Sequence, residues 1–194
     1  MLKVAITGGI ASGKSTCLMH LMMQGYSVYS ADSIAHDLLK NEAKEKVIEE
    51  FGTFILDEDG NISRRILAQV VFGDSDAIKK LEDIIHPMVR DKIIDIANKS
   101  EENIIFFEVP LLFESNMQDI FDYTINIYAS EEEQIRRVML RDNITEIEAK
   151  ERIANQLPTL VKNKLASFCI LADEKDKMYD ELDKVTRRIL NHEI

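Results

Sequence analysis

A run of residues near the start of the chain has the types and spacing that bind phosphate. Residues 8–15 read Gly-Gly-Ile-Ala-Ser-Gly-Lys-Ser and match G-x-x-x-x-G-K-[ST] at every fixed position. Glycines let the backbone turn tightly, so that successive N–H groups point at phosphate oxygens. In such a loop the lysine, here Lys14, reaches the β- and γ-phosphates, and the hydroxyl of Ser15 is a ligand for Mg²⁺. The pattern predicts a site for a nucleoside triphosphate, which we expect to be ATP with Mg²⁺.

The elements that flank this run are those that the motif requires. Residues 2–7 form a β-branched run that predicts a buried strand, and residues 14–24 predict a helix that ends at Gly25. The N-terminus of that helix adds N–H groups and partial positive charge to the phosphate site. The nucleotide-binding residues are predicted to be Gly8, Gly9, Ala11, Ser12, Gly13, Lys14, Ser15 and Thr16.

A carboxylate at the end of another predicted strand is a candidate metal ligand. Residues 104–109 form the clearest buried strand of the chain and include Glu108 near its end. A carboxylate in this position can hold Mg²⁺ through water, as the acidic residue that closes a Walker B strand does. The alternative is a strand-end carboxylate that is merely solvated. A guanine-selective NKxD sequence is absent.

Asp32 follows the second predicted strand, residues 27–30, and is a candidate catalytic base. Ligands of open α/β sheets bind beyond the carboxyl ends of the strands, so Asp32 can face an acceptor hydroxyl near the γ-phosphate. There a carboxylate orients the hydroxyl and takes its proton. The alternative is that Asp32 caps the helix that follows it, because aspartate is a favoured N-cap residue.

Two consecutive helices rich in arginine follow the strand predicted at residues 124–128. Each starts with a predicted capping box, Ser130 with Glu133 and Thr145 with Glu148. Enzymes that transfer phosphoryl groups place cations on the migrating oxygens, and a mobile helical flap can bring them in. The candidate cations are Arg136, Arg137, Arg141 and Arg152. The alternative is that these arginines pair on the helix surface with Glu131, Glu132 or Glu148.

Strands that alternate with helices predict the fold class. Apolar strands separated by helices indicate an α/β fold with a parallel sheet covered on both faces. Residues 42–100 are mostly helical, with breaks predicted at the turn 57–61 and at Pro87, and are too long for a simple crossover. We therefore expect them to form a helical insertion. The C-terminal stretch predicts an amphipathic helix through Leu182, Val185, Ile189 and Leu190.

Composition and charge argue against several classes of protein. With 194 residues, 45% hydrophobic and 30% charged, the chain suits one folded core with small insertions. The net charge of −11 argues against a nucleic-acid partner. Cys17 and Cys169 lie far apart and form no CxxC pair, so neither a disulfide framework nor a zinc site is expected. No apolar stretch predicts a membrane span or a signal peptide, so we expect a soluble cytoplasmic protein without a membrane partner.

Together these motifs resemble the dephospho-coenzyme A kinase family over roughly residues 1 to 160. The similarity rests on the glycine-rich loop, on Ala31-Asp32 with His36, and on Arg64 followed by Leu67. It continues through Ile85-His86-Pro87 and through the distinctive string Val109-Pro110-Leu111-Leu112-Phe113-Glu114. Gln134, Arg137, Arg141, Arg152 and Gln156 have the spacing of the family's flap.

The resemblance implies a reaction and roles for residues. Members transfer the γ-phosphoryl group of ATP to the ribose 3′-hydroxyl of dephospho-coenzyme A, giving ADP and coenzyme A. It implies that Asp32, Lys14 and Arg141 are catalytic, that Arg137 helps to bind the nucleotide, and that Ser15 and Glu108 hold Mg²⁺. It further implies that the acceptor is bound by Asp32, His36, Arg64, His86, Glu114 and Arg152.

The resemblance also implies an architecture of three parts. These are a three-layer P-loop NTPase core (residues 1–31, 101–130 and 157–194), a helical acceptor-binding domain (32–100) and a helical lid (131–156). We expect a monomer or a weak homo-oligomer that acts on a small-molecule substrate.

The chain departs from the family pattern at two positions. Ala172 stands where the family has an asparagine that helps to hold the base, and Ser63 replaces an acidic residue before Arg64. An alanine side chain makes no hydrogen bonds, which leaves base recognition to Asp173 or to backbone groups, or loosens it. Two other functions stay open from the sequence: another nucleotide- or nucleoside-type kinase on the same core, and a nucleotide-binding regulator without catalysis.

Overall fold

The computed structural model describes residues 1–193 and shows alternating strands and helices. Two short 3₁₀ helices, Thr53–Ile55 and Gln118–Ile120, accompany the main elements. In chain order these are β1 (Leu2–Thr7), α1 (Lys14–Met23), β2 (Val28–Ser30), α2 (Ala31–Lys40), α3 (Lys44–Phe51), α4 (Arg64–Val71), α5 (Ser75–Lys99), β3 (Ile104–Glu108), β4 (Tyr123–Tyr128), α6 (Glu131–Asp142), α7 (Glu146–Ala154), α8 (Thr159–Leu165), β5 (Phe168–Leu171) and α9 (Lys175–Leu190).

The chain forms two compact units. The first comprises Met1–Ser30 and the described residues from Ser100 onward, and the second is Ala31–Lys99. The first unit contains every strand of the sheet, and the second is helical apart from one antiparallel bridge between Leu56 and Ile62. The assignment of parts as core, acceptor domain and lid stays a prediction.

The sheet of the first unit has five parallel strands in the order β2-β3-β1-β4-β5. This confirms the predicted α/β fold with a parallel sheet. β5 was not predicted from the sequence, although Phe168-Cys169-Ile170-Leu171 is an apolar run of strand length. β1 lies between β3 and β4, so the loop that follows β1 emerges beside the ends of both neighbours.

Side chains that alternate along the strands fill both faces of this sheet. On one face Val4, Ile6 and Phe106 join the buried side of α1 and the apolar stripe of α9, which includes Leu182, Val185 and Ile189. On the other face Phe107 packs against Phe121. The predicted C-terminal amphipathic helix is therefore confirmed, and it anchors the sheet beneath the phosphate loop.

The second unit is organised around the long helix α5. The predicted break at Pro87 is wrong, because α5 continues through it from Ser75 to Lys99. A proline inside a helix loses one backbone hydrogen bond and crowds the preceding turn. Here the helix keeps its course because Ile85, Val89 and Ile93 form a buried stripe, and α5 packs against α2 and α3. The predicted turn at residues 57–61 is present, with Asp57 N–H bonded to Asn61 C=O.

Of the two predicted capping boxes, one is present in full and the other forms only in part. Thr145 and Glu148 form the full reciprocal capping box of α7. At α6 only half of the box forms: the Ser130 hydroxyl accepts from the Glu133 N–H, but the Ser130 N–H donates to Asp173. The Glu133 carboxylate is thereby left for arginines. Within residues 1–193 we find no helix whose length and apolar character would let it cross a membrane.

Candidate active site

The glycine-rich loop lies between β1 and α1, and its glycines stand where other atoms come too close for a side chain. A Cβ at Gly13 would lie 2.9 Å from the Cβ of Ala172, and this residue has φ +94°. A Cβ at Gly8 would press on the carbonyl of Ile127 at the adjacent strand β4. The loop therefore fits against β4 and the segment after β5 only with glycine at these positions.

A cleft of about 510 Å³ opens over this loop within the first unit. Its floor is made by residues 9–16, which include Ala11, Ser12, Ser15 and Thr16 of the predicted set. Arg137 and Arg141 line the same cleft, together with Ala172, Asp173, Lys175 and Met178. The structure thus brings two of the candidate cations to the phosphate loop. Arg136 does not line this cleft, and lies in a separate surface groove with Ile135 and Met139.

Lys14 and Glu108 meet at the carboxyl edge of the sheet. The Lys14 Nζ lies 3.7 Å from the Glu108 Oε1, because β1 and β3 are neighbours and Ile6 is in register with Glu108. Both side chains are largely shielded, so their mutual attraction is screened less than that of a surface pair. Glu108 is therefore positioned beside the group that would contact the phosphates, as its predicted role requires.

The residues at this edge fit a magnesium ion held mainly by phosphates and water. Magnesium in such sites takes one or two protein oxygens and completes its shell with water and phosphate oxygens. The Ser15 hydroxyl is exposed at the start of α1, and Glu108 supplies a carboxylate nearby in the fold. Among residues 1–193 no group of three or more histidine, cysteine or acidic side chains is arranged for a metal. The donors present suit magnesium brought by a nucleotide rather than a metal caged by protein.

Arg137 is held in the cleft wall by the carboxylate of Glu133 and by the backbone carbonyls of Ala172 and Asp173. Its Nε donates to the Glu133 carboxylate at 2.7 Å, and its Nη2 donates to the carbonyl of Ala172 at 2.7 Å. Hydrogen bonds from Arg136 and then Arg137 lower the pKa of Glu133 to about 2, so that the carboxylate stays charged at acidic pH values where an ordinary glutamate is protonated. The guanidinium of Arg137 is thus fixed in direction before any ligand arrives.

Arg141 and Arg152 share one carboxylate at the end of α6. The Arg141 Nε donates to the Asp142 Oδ1 at 2.7 Å, and Arg152 donates to the other oxygen. The hydrogen bond from Arg141, ahead of its charge and that of Arg152, lowers the pKa of Asp142. The carboxylates that accept hydrogen bonds from the candidate arginines are Glu133 and Asp142, rather than the alternative partners Glu131, Glu132 and Glu148. Hydrogen bonds from Thr145, and to a smaller extent the charge of Arg152, lower the pKa of Glu148. Arg141 lines the cleft and half of its side chain is exposed.

Both backbone polar groups of Ala172 make hydrogen bonds within the protein. Its N–H donates to the carbonyl of Tyr128, and its own carbonyl accepts from Arg137. The carboxylate of Asp173 accepts from the N–H of Ser130 at 2.9 Å. Base recognition at this side of the cleft would therefore depend on the other Asp173 oxygen and on Lys175 and Met178, which line the same cleft.

Glu114 has a partner that sequence reasoning missed. Its Oε1 lies 2.8 Å from the Nζ of Lys162, whose side chain is only 1% exposed, and it also accepts from the N–H of Leu157. Lys162 additionally donates to the carbonyl of Pro110. No sequence signal marks Lys162, which sits in a short helix beside other lysines. Glu114, which is expected to bind the acceptor, therefore also links the loop after β3 to α8.

Replacing Lys162 with methionine is expected to destabilise the fold by about 3 kcal/mol, because removal of one partner leaves the other charge poorly solvated. Denaturant unfolding followed by circular dichroism measures this loss. Lys164→Met in the same helix is the matched control, since Lys164 is exposed. Adding Glu114→Gln to Lys162→Met should recover part of the loss. A Lys162→Met protein as stable as the control would contradict the account of this ion pair.

The remaining predicted residues lie in the second unit. Asp32 is exposed in the first turn of α2, which already begins at Ala31, so Asp32 does not precede the helix as the capping alternative required. His36 follows one turn later, and its Nδ1 is buried without a hydrogen bond from residues 1–193. Arg64 begins α4, where Ser63 is the N-cap and accepts from the Ile66 N–H. His86 lines a groove of about 340 Å³ on α5 with Glu82 and Arg90.

Comparison with known proteins was made on the whole chain. Residues 2–177 match the family model of dephospho-CoA kinase. The dephospho-CoA kinase of Fusobacterium nucleatum is 37% identical over 185 residues, which cover 95% of both chains. That of Carboxydothermus hydrogenoformans is 40% identical over 173 residues, which cover 86% of this chain and 84% of the relative. In structure, dephospho-CoA kinase from Campylobacter jejuni superposes with a TM-score of 0.74 at 33% identity, covering 99% of this chain and 98% of the other.

Proposed function

The chain belongs to the dephospho-CoA kinase family, and from this we propose that its own residues carry out the family's phosphoryl transfer in the cleft described above. It is a kinase, and its reaction is the ATP-dependent phosphorylation of dephospho-coenzyme A to coenzyme A. The resemblance noted from the sequence and the expectation of an enzyme are confirmed. Another nucleotide-type kinase and a regulator without catalysis are not favoured.

One observation carries the mechanism: the phosphate loop, Arg137 and Arg141 line a single cleft. Lys14 and the N–H groups at the start of α1 would hold the β- and γ-phosphates, while Arg137 binds nearer the base side. Arg141 would balance charge on the transferring phosphoryl group, where fixed cations stabilise the transition state most. Positioning and charge, rather than covalent chemistry by the protein, account for most of the rate in such reactions.

Magnesium, when bound, neutralises charge on the phosphates and fixes their geometry. The protein donors that we assign to it are the hydroxyl of Ser15 and, through water, the carboxylate of Glu108. Glu108 also faces Lys14 at 3.7 Å, so the lysine ammonium and the metal would share one carboxylate. This arrangement supports the use of ATP as a magnesium complex.

We assign Asp32 as the group that orients the acceptor hydroxyl and accepts its proton. Asp32 directly follows β2, a strand that ends at the same edge of the sheet as β1 and β3. Because Asp32 lies inside the first turn of α2, it need not serve as the helix cap. In the helical unit, His36, Arg64 and His86 are the residues that we propose to bind the acceptor. In the first unit, the residues proposed for this role are Glu114 and Arg152. We expect a monomer or a weak homo-oligomer that acts on a small-molecule substrate.

Asp32→Asn is expected to lower kcat roughly hundredfold, a typical contribution of a positioned base. The amide keeps the size of the side chain but cannot take the proton. The dissociation constant for MgATP should stay within about twofold, because the substitution leaves the phosphate loop intact. Steady-state kinetics and calorimetric titration measure the two quantities. Asp37→Asn on the same helix is the control, and full activity of Asp32→Asn would remove Asp32 from catalysis.

The proposed reaction is tested by ADP release from MgATP with different acceptors. Dephospho-coenzyme A should stimulate release strongly, while adenosine and AMP at equal concentration should stimulate it little. Equal stimulation by adenosine or AMP would point to a nucleoside- or nucleotide-type kinase. Nucleotide binding without stimulation by any acceptor would contradict the assigned function and favour a regulator.

A further inference from the structure

Two glutamine side chains hold both backbone polar groups of one residue in the phosphate loop. The Gln134 Nε2 donates to the carbonyl of Ile10 at 2.8 Å. The N–H of Ile10 in turn donates to the Gln156 Oε1 at 2.7 Å. An amide side chain offers one acceptor and one donor group, so each glutamine meets the complementary half of the Ile10 backbone. The orientation of Ile10 is therefore determined from both sides.

The surroundings of this contact are built for the two amides. Gln134 is buried, with 5% of its surface exposed, and Gln156 is partly buried. A Cβ at the neighbouring Gly9 would lie 2.9 Å from the Gln134 Nε2 and 3.5 Å from the Gln156 Oε1. The Gln134 amide thus occupies the space that a side chain at Gly9 would need, while the Gln156 oxygen lies at an ordinary contact distance. This explains a glycine at a position that the phosphate-loop pattern leaves unspecified.

The two glutamines are located at opposite ends of the arginine-bearing segment. Gln134 lies in the first turns of α6, and Gln156 follows the end of α7 at Ala154. Beyond Gln156, the N–H of Leu157 donates to Glu114, which fixes the exit of the segment to the loop after β3. The segment formed by α6, which carries Arg137 and Arg141, and α7 is thus joined to Ile10 near both of its ends.

We propose that Gln134 and Gln156 are positioning residues that clamp Ile10 and so set the phosphate loop for the β-phosphate. We call this pair with Ile10 the glutamine clamp. The proposal rests on the proposed function, because it assigns the cleft to a nucleotide. When both glutamines are bonded to Ile10, the N–H groups of the phosphate loop are fixed before a nucleotide binds. Both ends of the arginine-bearing segment then keep a constant position relative to the loop. A loop that must order itself on binding loses affinity for the phosphate chain.

Gln134→Met and Gln156→Met test the clamp, because methionine has nearly the size of glutamine but lacks the amide. Each variant should bind ADP roughly tenfold more weakly, the effect of losing one hydrogen bond that holds a buried group. Both bonds fix the same residue, so loss of either one frees it. The double variant should therefore be weaker than wild type by clearly less than the product of the two single effects. Isothermal titration with ADP measures all three.

Controls separate this role from a general effect on folding. Gln118→Met alters an exposed glutamine of the first unit and should bind ADP as wild type does. Gly9→Ala keeps both glutamines in the chain but crowds the Gln134 amide, and should weaken ADP binding in the same way. In steady-state kinetics the clamp variants should raise KM for ATP while KM for dephospho-coenzyme A stays within about twofold. Loss of folded protein would not produce this difference between the two KM values.

Single variants that bind ADP within twofold of wild type would overturn the proposal, as would effects that multiply fully in the double variant. The ADP titration needs no acceptor, so the clamp can be tested even if the proposed reaction is wrong. Failure of the wild-type protein to phosphorylate dephospho-coenzyme A would contradict the proposed function and leave the titration result standing. Weaker ADP binding by the variants, with normal binding by Gln118→Met, would support the clamp.

Discussion

Lys14→Ala is expected to lower kcat/KM for MgATP by more than about a thousandfold, which makes it the most damaging single substitution. Lys14 supplies the only fixed positive side chain that the phosphate-loop motif contributes to the β- and γ-phosphates. Removal of one fixed donor from a developing charge typically costs roughly a hundred- to a thousandfold in rate. Here the attraction of Lys14 for the phosphates of bound ATP is lost as well. Glu108, which lies 3.7 Å from Lys14, would then face the phosphates without the ammonium group of Lys14.

The matched control is Lys164→Ala, which removes an exposed lysine of α8 and should leave kinetics unchanged. Thermal unfolding of both variants should stay close to wild type, since Lys14 is not in the apolar core. Steady-state ADP release provides the rate. A Lys14→Ala protein that retains a tenth or more of wild-type kcat/KM would contradict the assignment of this loop to catalysis.

Arg141→Ala is expected to reduce kcat about a thousandfold while changing the ADP dissociation constant little. Cations that act on the transferring phosphoryl group of related reactions contribute a thousandfold or more. Arg141 lines the cleft and pairs with Asp142 at the end of α6, with half of its side chain exposed. Such a residue can turn toward the γ-phosphate without breaking the cleft wall, which Arg137 maintains through Ala172.

Arg136→Ala is the control on the same helix, because Arg136 lies outside the cleft and contacts Glu133 on the helix surface. It should keep nearly full activity, since Glu133 retains Arg137. Pre-steady-state measurement of ADP formation separates the chemical step from product release. If Arg141→Ala and Arg136→Ala have the same kcat, Arg141 has no role in phosphoryl transfer.

Features that depend on neighbouring residues in the chain were predictable from the sequence. The phosphate loop is read from a fixed spacing, and its strand and helix follow from short apolar periodicity. β1, β3 and β4 were located within one or two residues for the same reason. Thr145 and Glu148 form a complete capping box because both halves lie within one helical turn.

Features that depend on tertiary packing were missed or misjudged. β5 is only four residues long, and its place beside β4 was not predicted from its own sequence. Pro87 looked like a helix end, yet a buried stripe on both sides of it keeps α5 continuous. Ser130 and Glu133 looked like a capping box, but Asp173, 43 residues away, takes the Ser130 N–H instead. Predictions made from neighbouring residues fail where residues distant in the chain supply more favourable packing or hydrogen-bond partners.

The same limit applies to the site. Arg137 and Arg141 were predicted from their types and spacing, whereas their partners Glu133, Asp142 and the carbonyl of Ala172 emerge only in the fold. Lys162 and the contacts of the glutamine clamp join positions 48 to 146 residues apart. A phosphate site was therefore predictable from residue types and spacing, and the reaction from the family resemblance, while the contacts that orient these side chains were not.

The central claim is that the γ-phosphoryl group of ATP moves to the ribose 3′-hydroxyl of dephospho-coenzyme A. Phosphorus-31 NMR of the product, after incubation of the purified protein with MgATP and dephospho-coenzyme A, tests it most directly. The account predicts ADP and one new 3′-phosphomonoester, identical to that of authentic coenzyme A, in equal amounts. ADP with inorganic phosphate and unchanged dephospho-coenzyme A, or a phosphoryl group at another position, would contradict it.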